Sequence, residues 1–121
     1  SWWKAIKTEQ FHCRYGEKPT DKDVRSEYLY DAINHLFNEA SLREVNAQNF
    51  FDEEGVTPYT VVYEDFVKNY EETVRGLVRW LGIDHDGFTV DPPYFARLAD
   101  DVSEEWVERF EEERTERLGK D

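Results

Sequence analysis

Methionine is absent from all 121 residues, cysteine occurs once, at Cys13, and no apolar run approaches the ~20 residues that a membrane-spanning helix needs. A single thiol excludes an internal disulfide framework. With no signal-like segment either, the expected compartment is the cytoplasm. With no methionine, the 121 residues are not expected to be a complete, unprocessed translation product, and the reading frame is expected to continue upstream of Ser1. Basic residues are scarce: 15 Lys and Arg stand against 28 Asp and Glu, for a formal charge of −13. No basic stripe runs along the chain, which excludes nucleic acid and anionic membrane surfaces as general partners. Any anion bound here needs a local pocket. Strands are equally scarce, since only "TPYTVVYEDF", from Thr57 to Phe66, has strand character.

Against these absences stand 16% aromatic and 39% hydrophobic residues, enough for the core of one domain spanning residues 1–121. "SWWKAIKTEQF" places Trp3, Ile6 and Gln10 at helical spacing, which predicts a short helix over Ser1–Gln10. Gly16 and Pro19 mark a charged loop, after which Thr20 or Asp21 caps the next helix. From about Asp21 to Asp52 the positions Leu29, Ile33, Leu36, Phe37, Ala40, Ala47 and Phe51 repeat at three and four. That spacing predicts a long amphipathic helix stopped by Gly55.

A strand is expected at Thr60–Tyr63, after Pro58, whose missing N–H is tolerated at a strand's first residue. Val61 and Val62 are adjacent, so both faces are apolar, as in a parallel sheet covered on two sides. Asn69 then caps a helix over Asn69–Leu81, with Glu72 completing a capping box and Val74, Leu77, Val78 and Leu81 forming its stripe. A single strand leaves its backbone groups without partners. The order helix, strand, helix therefore implies that the rest of the sheet lies upstream of Ser1. The unpaired strand also predicts a homodimer, since an open edge with apolar Val61 and Val62 invites association. Residues 83–102 read as a turn-rich linker, and Ser103 caps a final helix over Ser103–Arg117 carrying Trp106 and Phe110 on a narrow seam. Glu105 with Arg109 and Glu113 with Arg117 are spaced as (i, i+4) pairs.

"YEDFVKNYEETVRGLVRWLGID" resembles the segment that closes the core of PAPS-dependent sulfotransferases. "SWWKAIKTEQF" and "LADDVSEEWVERFEEE" resemble segments of one bacterial branch, the trehalose 2-sulfotransferase family. The likeness covers nearly the whole chain in the family's order, with Glu9, Phe11 and Tyr70 as departures from its pattern. It implies a fold that is mostly α with one short strand, the C-terminal part of a P-loop-like α/β (sulfotransferase) fold that lacks its N-terminal sheet and phosphosulfate-gripping loop. It further implies PAPS as the sulfuryl donor and a carbohydrate or similar hydroxyl acceptor. In the family an Arg and a following Ser on a helix hold the donor's 3′-phosphate. Ser1 matches that Ser by its place before "WWKA", although a terminal residue with no role is the alternative. The resemblance leaves two readings: part of a sulfotransferase inactive without its other half, or a helical binding module that keeps the scaffold without catalysis. No catalytic or metal-binding residue is assigned.

Other residues carry less. Glu64 and Asp65 sit where a parallel strand would end, the edge at which α/β folds bind ligands. Acidic groups repel an anionic donor, so a structural role is expected: Asp65 capping the turn, Glu64 pairing with a cation, Tyr63 packing. His12 and Cys13 are neighbours whose side chains diverge, which argues against a nucleophile pair; His12 reads as a surface residue or as one facing the acceptor cleft. "DHDGFTVD" lacks the ligands a calcium loop needs at its fifth and twelfth positions. His12, His35 and His85 have no zinc spacing.

Overall fold

The computed structural model describes residues 1–84 and 86–120. Its elements in order are α1 (Trp2–Thr8), a 3-10 turn (Arg25–Glu27), α2 (Tyr30–Glu54), α3 (Tyr63–Lys68), α4 (Tyr70–Trp80) and α5 (Asp101–Leu118). The mostly helical expectation is met, and no strand forms among the described residues. The expected strand at Thr60–Tyr63 is corrected: Val62 has extended backbone (φ −85°, ψ 122°) but serves as the N-cap of α3, and Tyr63 is already helical. Without neighbouring strands, extended backbone forms no ladder, whereas a helix satisfies its own N–H groups from the Val62 carbonyl onward. Among the described residues β-pairing is limited to an isolated antiparallel bridge between Arg14 and Phe95.

The long helix starts later than its spacing suggests. Asp23 Oδ1 accepts from the Arg25 N–H at 3.0 Å, and Tyr28 is extended (ψ 127°), so the chain turns twice before Tyr30. The reason is Val24, the most deeply buried side chain, 1% exposed, which inserts against Val102 and Trp106. A straight helix from Asp21 would forfeit that burial, worth about 1.5–3 kcal/mol for a Val-sized side chain. At its far end α2 stops as expected. Gly55 adopts left-handed geometry (φ 64°), and the Val56 N–H closes on the Phe51 carbonyl at 2.8 Å.

The core is small. Val24, Val102 and Trp106 form its centre, with Trp3, Tyr28 and Ile33 packed around them. Tyr30 and Phe37 of α2 meet Phe110 of α5 with ring centroids 5.2 and 5.7 Å apart. Arg109 lies over the Tyr28 ring and Arg117 over the Tyr30 ring, each at 3.9 Å, and Arg117 also pairs with Asp31 at 3.2 Å. These contacts bind α5 to the start of α2. Beyond Ala40 α2 finds little cover: of its stripe Ala47 is exposed and Phe51 only partly covered, and off the stripe Leu42, Val45 and Phe50 are all more than half exposed.

Two caps differ from the sequence reading. Asn69 holds the expected N-cap position of α4, its carbonyl accepting from the Thr73 N–H at 2.9 Å, but its side chain makes no capping bond; the amide donates backwards to the Asp65 carbonyl at 3.3 Å, at the end of α3. The cap of α5 is Asp100, whose Oδ1 accepts from the N–H and hydroxyl of Ser103 at 3.1 and 3.3 Å. Ser103 is itself buried. The Glu113–Arg117 pair forms at 3.9 Å, but Glu105 turns to Arg25 at 3.2 Å and Arg109 takes Glu113 at 2.9 Å.

Candidate functional site

Helix α1 is fastened at both ends of its exposed face. The Trp3 indole N–H donates to the Glu27 carbonyl at 2.8 Å, and Lys7 pairs with the Glu27 carboxylate at 3.2 Å while covering the Trp3 ring. On the other side Lys4 reaches across the chain. Its ammonium donates to the Leu98 carbonyl at 2.9 Å and pairs with Asp100 at 2.6 Å, with the Lys4 side chain only 15% exposed. Because Asp100 also caps α5, one carboxylate ties α1, the 97–100 segment and α5 together.

The second half of the span 83–102 is bonded to the start of the chain. The Tyr15 N–H donates to the Tyr94 carbonyl and the Ala96 N–H to the Cys13 carbonyl, both at 2.8 Å, and Lys4 pins Leu98 and Asp100 just beyond. Periodicity has no signal for such tertiary anchoring. His85, within this span, lies outside the described residues.

Between α1, the 19–24 loop and the 97–103 segment lies a cavity of about 390 Å³, within the ~300–1,000 Å³ typical of ligand clefts. Ser1, Trp2 and Phe11 line it beside Lys4, Lys22 and Arg97. Its loop wall is held in place by the Gln10 side-chain carbonyl, which accepts from the Thr20 N–H at 2.9 Å, and by Lys22, which donates to the Lys7 carbonyl at 2.7 Å. Neither Lys22 nor Arg97 enters an ion pair among the described residues. In a chain with nearly twice as many acids as bases, a cavity lined by three cations and one carboxylate is a local reversal of sign. A second, apolar groove of about 740 Å³ runs between α1, α2 and α5, walled by Trp2, Phe37, Trp106 and Phe110. Ser1, Trp2 and Ser103 line both.

Electrostatics at the junction follow from this crowding. Burial raises the Asp100 carboxyl, but hydrogen bonds from Lys4 and Ser103 and the Lys4 charge outweigh it and hold the group below its ordinary 3.8.

The sequence-predicted Ser1 stands at the N-cap of α1 on the rim of the cavity. Its side chain makes no capping bond, which leaves the hydroxyl directed to no helical N–H. Lys7 lies outside the cavity lining. Glu64 and Asp65 fall in the first turn of α3, where negative charge favours the helix dipole. Glu64 enters no ion pair among the described residues, and Tyr63 is 52% exposed, so neither the expected pairing nor the packing forms there. His12 stacks on Phe95 at 5.1 Å, while Cys13 is buried with its thiol toward the Glu17 carbonyl at 3.5 Å. Those directions separate the two side chains. Arg97 and Lys22 carry no signal in the sequence, where Lys22 lies between Asp21 and Asp23 and Arg97 is followed by Asp100 and Asp101; only the fold shows that neither enters an ion pair among the described residues.

The family model for the Stf0 sulphotransferase matches residues 1–113. A trehalose 2-sulfotransferase of Mycolicibacterium smegmatis is 33% identical over 110 residues, covering 91% of this chain and 39% of its own length. A trehalose 2-sulfotransferase of Mycobacterium tuberculosis is 28% identical over 119 residues, covering 98% of this chain and 42% of its own length. The chain thus spans about two fifths of the length of these relatives. No solved structure matches. A family match over nearly the whole chain, in the order the sequence motifs run, places it: the chain belongs to the Stf0 sulphotransferase family.

Proposed function

We propose that this chain is the C-terminal portion of a sulfotransferase that moves a sulfuryl group from PAPS to a hydroxyl of a carbohydrate or similar acceptor, and that it is inactive without the other portion. The observation that carries the reading is the cavity beside Ser1, where cationic side chains gather on an otherwise acidic surface. Sulfuryl transfer needs the donor and acceptor held in line, the anionic oxygens stabilised and the hydroxyl proton removed. Residues 1–8, 19–24 and 97–103 fit one end of such a donor. Trp2 and Phe11 offer faces on which a base stacks, Lys22 and Arg97 offer charge to a phosphate, and the Ser1 hydroxyl offers a hydrogen bond.

They do not fit the whole of it. PAPS carries several negative charges, Lys4 is already neutralised by Asp100, and Lys22 already donates to a carbonyl. The remaining groups need donors that these residues do not supply. That shortfall is why the isolated chain binds PAPS weakly on this reading. The proposal also includes a cytoplasmic setting and a homodimer, the latter supported by Val61, Val62 and Tyr63, all 44–52% exposed in one run. The same exposed run favours the alternative, a helical binding module derived from the scaffold.

The coding sequence upstream of Ser1 separates the two. A phosphosulfate-gripping loop in the same reading frame supports the sulfotransferase portion, and a start codon close to Ser1 supports the binding module.

A further inference from the structure

The bridge between Arg14 and Phe95 is closed on either side by the Tyr15–Tyr94 and Ala96–Cys13 backbone bonds, both at 2.8 Å. Cys13 is buried beneath it, which roots the pairing in the fold. The side chains it carries outward gather into one cluster. His12 stacks on Phe95 at 5.1 Å, Tyr94 meets Phe95 edge-on at 4.9 Å, and Arg14 lies over the Tyr94 ring at 5.7 Å. Tyr94 and Phe95 are nonetheless more than half exposed, and His12 and Arg14 are exposed as well. Neither His12 nor Arg14 enters an ion pair among the described residues. Aromatic rings that only fill a core are covered; these are mounted on paired backbone and left in water beside two planar polar groups.

We propose that His12, Arg14, Tyr94 and Phe95 form a docking platform for a sugar ring of the acceptor, next to the ring that receives the sulfuryl group, so that the acceptor is a glycoside of at least two rings. This rests on the sulfotransferase reading proposed above. One face of a pyranose is a layer of C–H groups, which suits the electron-rich face of an aromatic ring. The hydroxyls around its edge suit the fixed N–H fork of a guanidinium and an imidazole that both donates and accepts. Nucleic-acid bases stack on such rings too, but their phosphates would meet a chain of charge −13 with no basic stripe. The platform is continuous with the cavity: Phe11, directly before His12, and Arg97, directly after Ala96, both line it. His12, Arg14, Tyr94 and Phe95 themselves stand outside that lining, which is why they take a second ring rather than the reacting one.

The test is a backbone-amide NMR titration of the 121-residue chain with trehalose and, separately, with sorbitol, an open-chain polyol. Trehalose is expected to shift the amides at 12–15 and 94–96, and sorbitol, which has the hydroxyls but no ring face, to leave them in place. Phe95→Ala is expected to weaken trehalose binding about fivefold, the loss of one aromatic face. Arg14→Gln, which leaves the backbone bonds and the His12–Phe95 stack untouched, should weaken it by a similar factor. Phe50→Ala, which removes an equally exposed ring from α2, should change nothing; an equal loss there would reduce the effect to non-specific contact and overturn the platform. Trehalose shifts confined to 1–5 and 19–22 would leave the sulfotransferase reading standing and overturn the platform. Shifts at 12–15 and 94–96 in a protein whose start codon lies close to Ser1 would uphold the sugar platform and remove the sulfotransferase reading. Equal shifts from sorbitol, or none from trehalose at 12–15 and 94–96, would overturn the inference outright.

Discussion

Lys4 and Asp100 are 96 positions apart in the sequence and 2.6 Å apart in the fold, and through them α1 is joined to the cap of α5. Lys4 has two acceptors, the Asp100 carboxylate and the Leu98 carbonyl, and is mostly covered. Lys4→Ala removes both bonds and is expected to cost about 1–3 kcal/mol in urea denaturation, at the lower end because Asp100 remains 45% exposed and water screens the pair. A double-mutant cycle with Asp100→Ala should give a coupling of about 1 kcal/mol. Strict additivity would mean that the pair does not hold the two helices together.

The same pair fixes the acid limb of stability. The Asp100 carboxyl is held below its ordinary 3.8 in the folded chain, so its contribution is fully present above that value and is lost as pH falls through the lower folded value. Wild type and Asp100→Asn should therefore differ in stability at neutral pH, begin to approach each other only as pH falls below the ordinary carboxyl value, and converge once it is below the lowered folded pKa. A difference that stays constant down to low pH would contradict the sign of this shift.

Tyr28 carries a buried hydroxyl with no partner in hydrogen-bonding geometry among the described residues. Burial, then the charge of Glu113, pushes its phenol pKa up. Its ring meets Trp106 edge-on and lies under Arg109, contacts that phenylalanine keeps. Tyr28→Phe is expected to leave stability unchanged or raise it by up to about 1 kcal/mol, because an unpaired buried hydroxyl costs desolvation without return. A clear loss in thermal unfolding would mean that a Tyr28–Glu113 hydrogen bond forms in solution.

The proposed homodimer would cover Val61, Val62 and Tyr63, which are 44–52% exposed. Sedimentation equilibrium at micromolar concentrations should show a dimer for the wild type and a monomer for Val62→Lys, since placing a charge in an apolar contact is unfavourable. A monomeric wild type, or a variant that dimerises as well as its parent, would remove this surface from the account.

The helices were legible because their signals are local. The stripe of α4, the Gly55 stop and the Trp106–Phe110 seam all follow from spacing and capping chemistry within a few residues. What misled was equally local. "VVY" has strand character, but a strand needs neighbours, and with none present the backbone turned into α3 at Tyr63. The early break before α2 was hidden because it depends on where Val24 finds cover, far away on α5. The candidate site was half visible. Ser1 emerged from its place before "WWKA", whereas Arg97 sat in a span without periodicity and gains its setting only from Lys4, Cys13 and Asp100, which no pattern of spacing connects to it.

Calorimetric titration of the 121-residue chain with PAPS at physiological salt, followed by an assay for sulfated sugar, tests the central claim most directly. The account predicts binding no tighter than a dissociation constant on the order of 1 mM, about −4 kcal/mol, and no transfer, because these residues grip only one end of the donor. A dissociation constant in the low micromolar range, or any catalysed transfer, would contradict it.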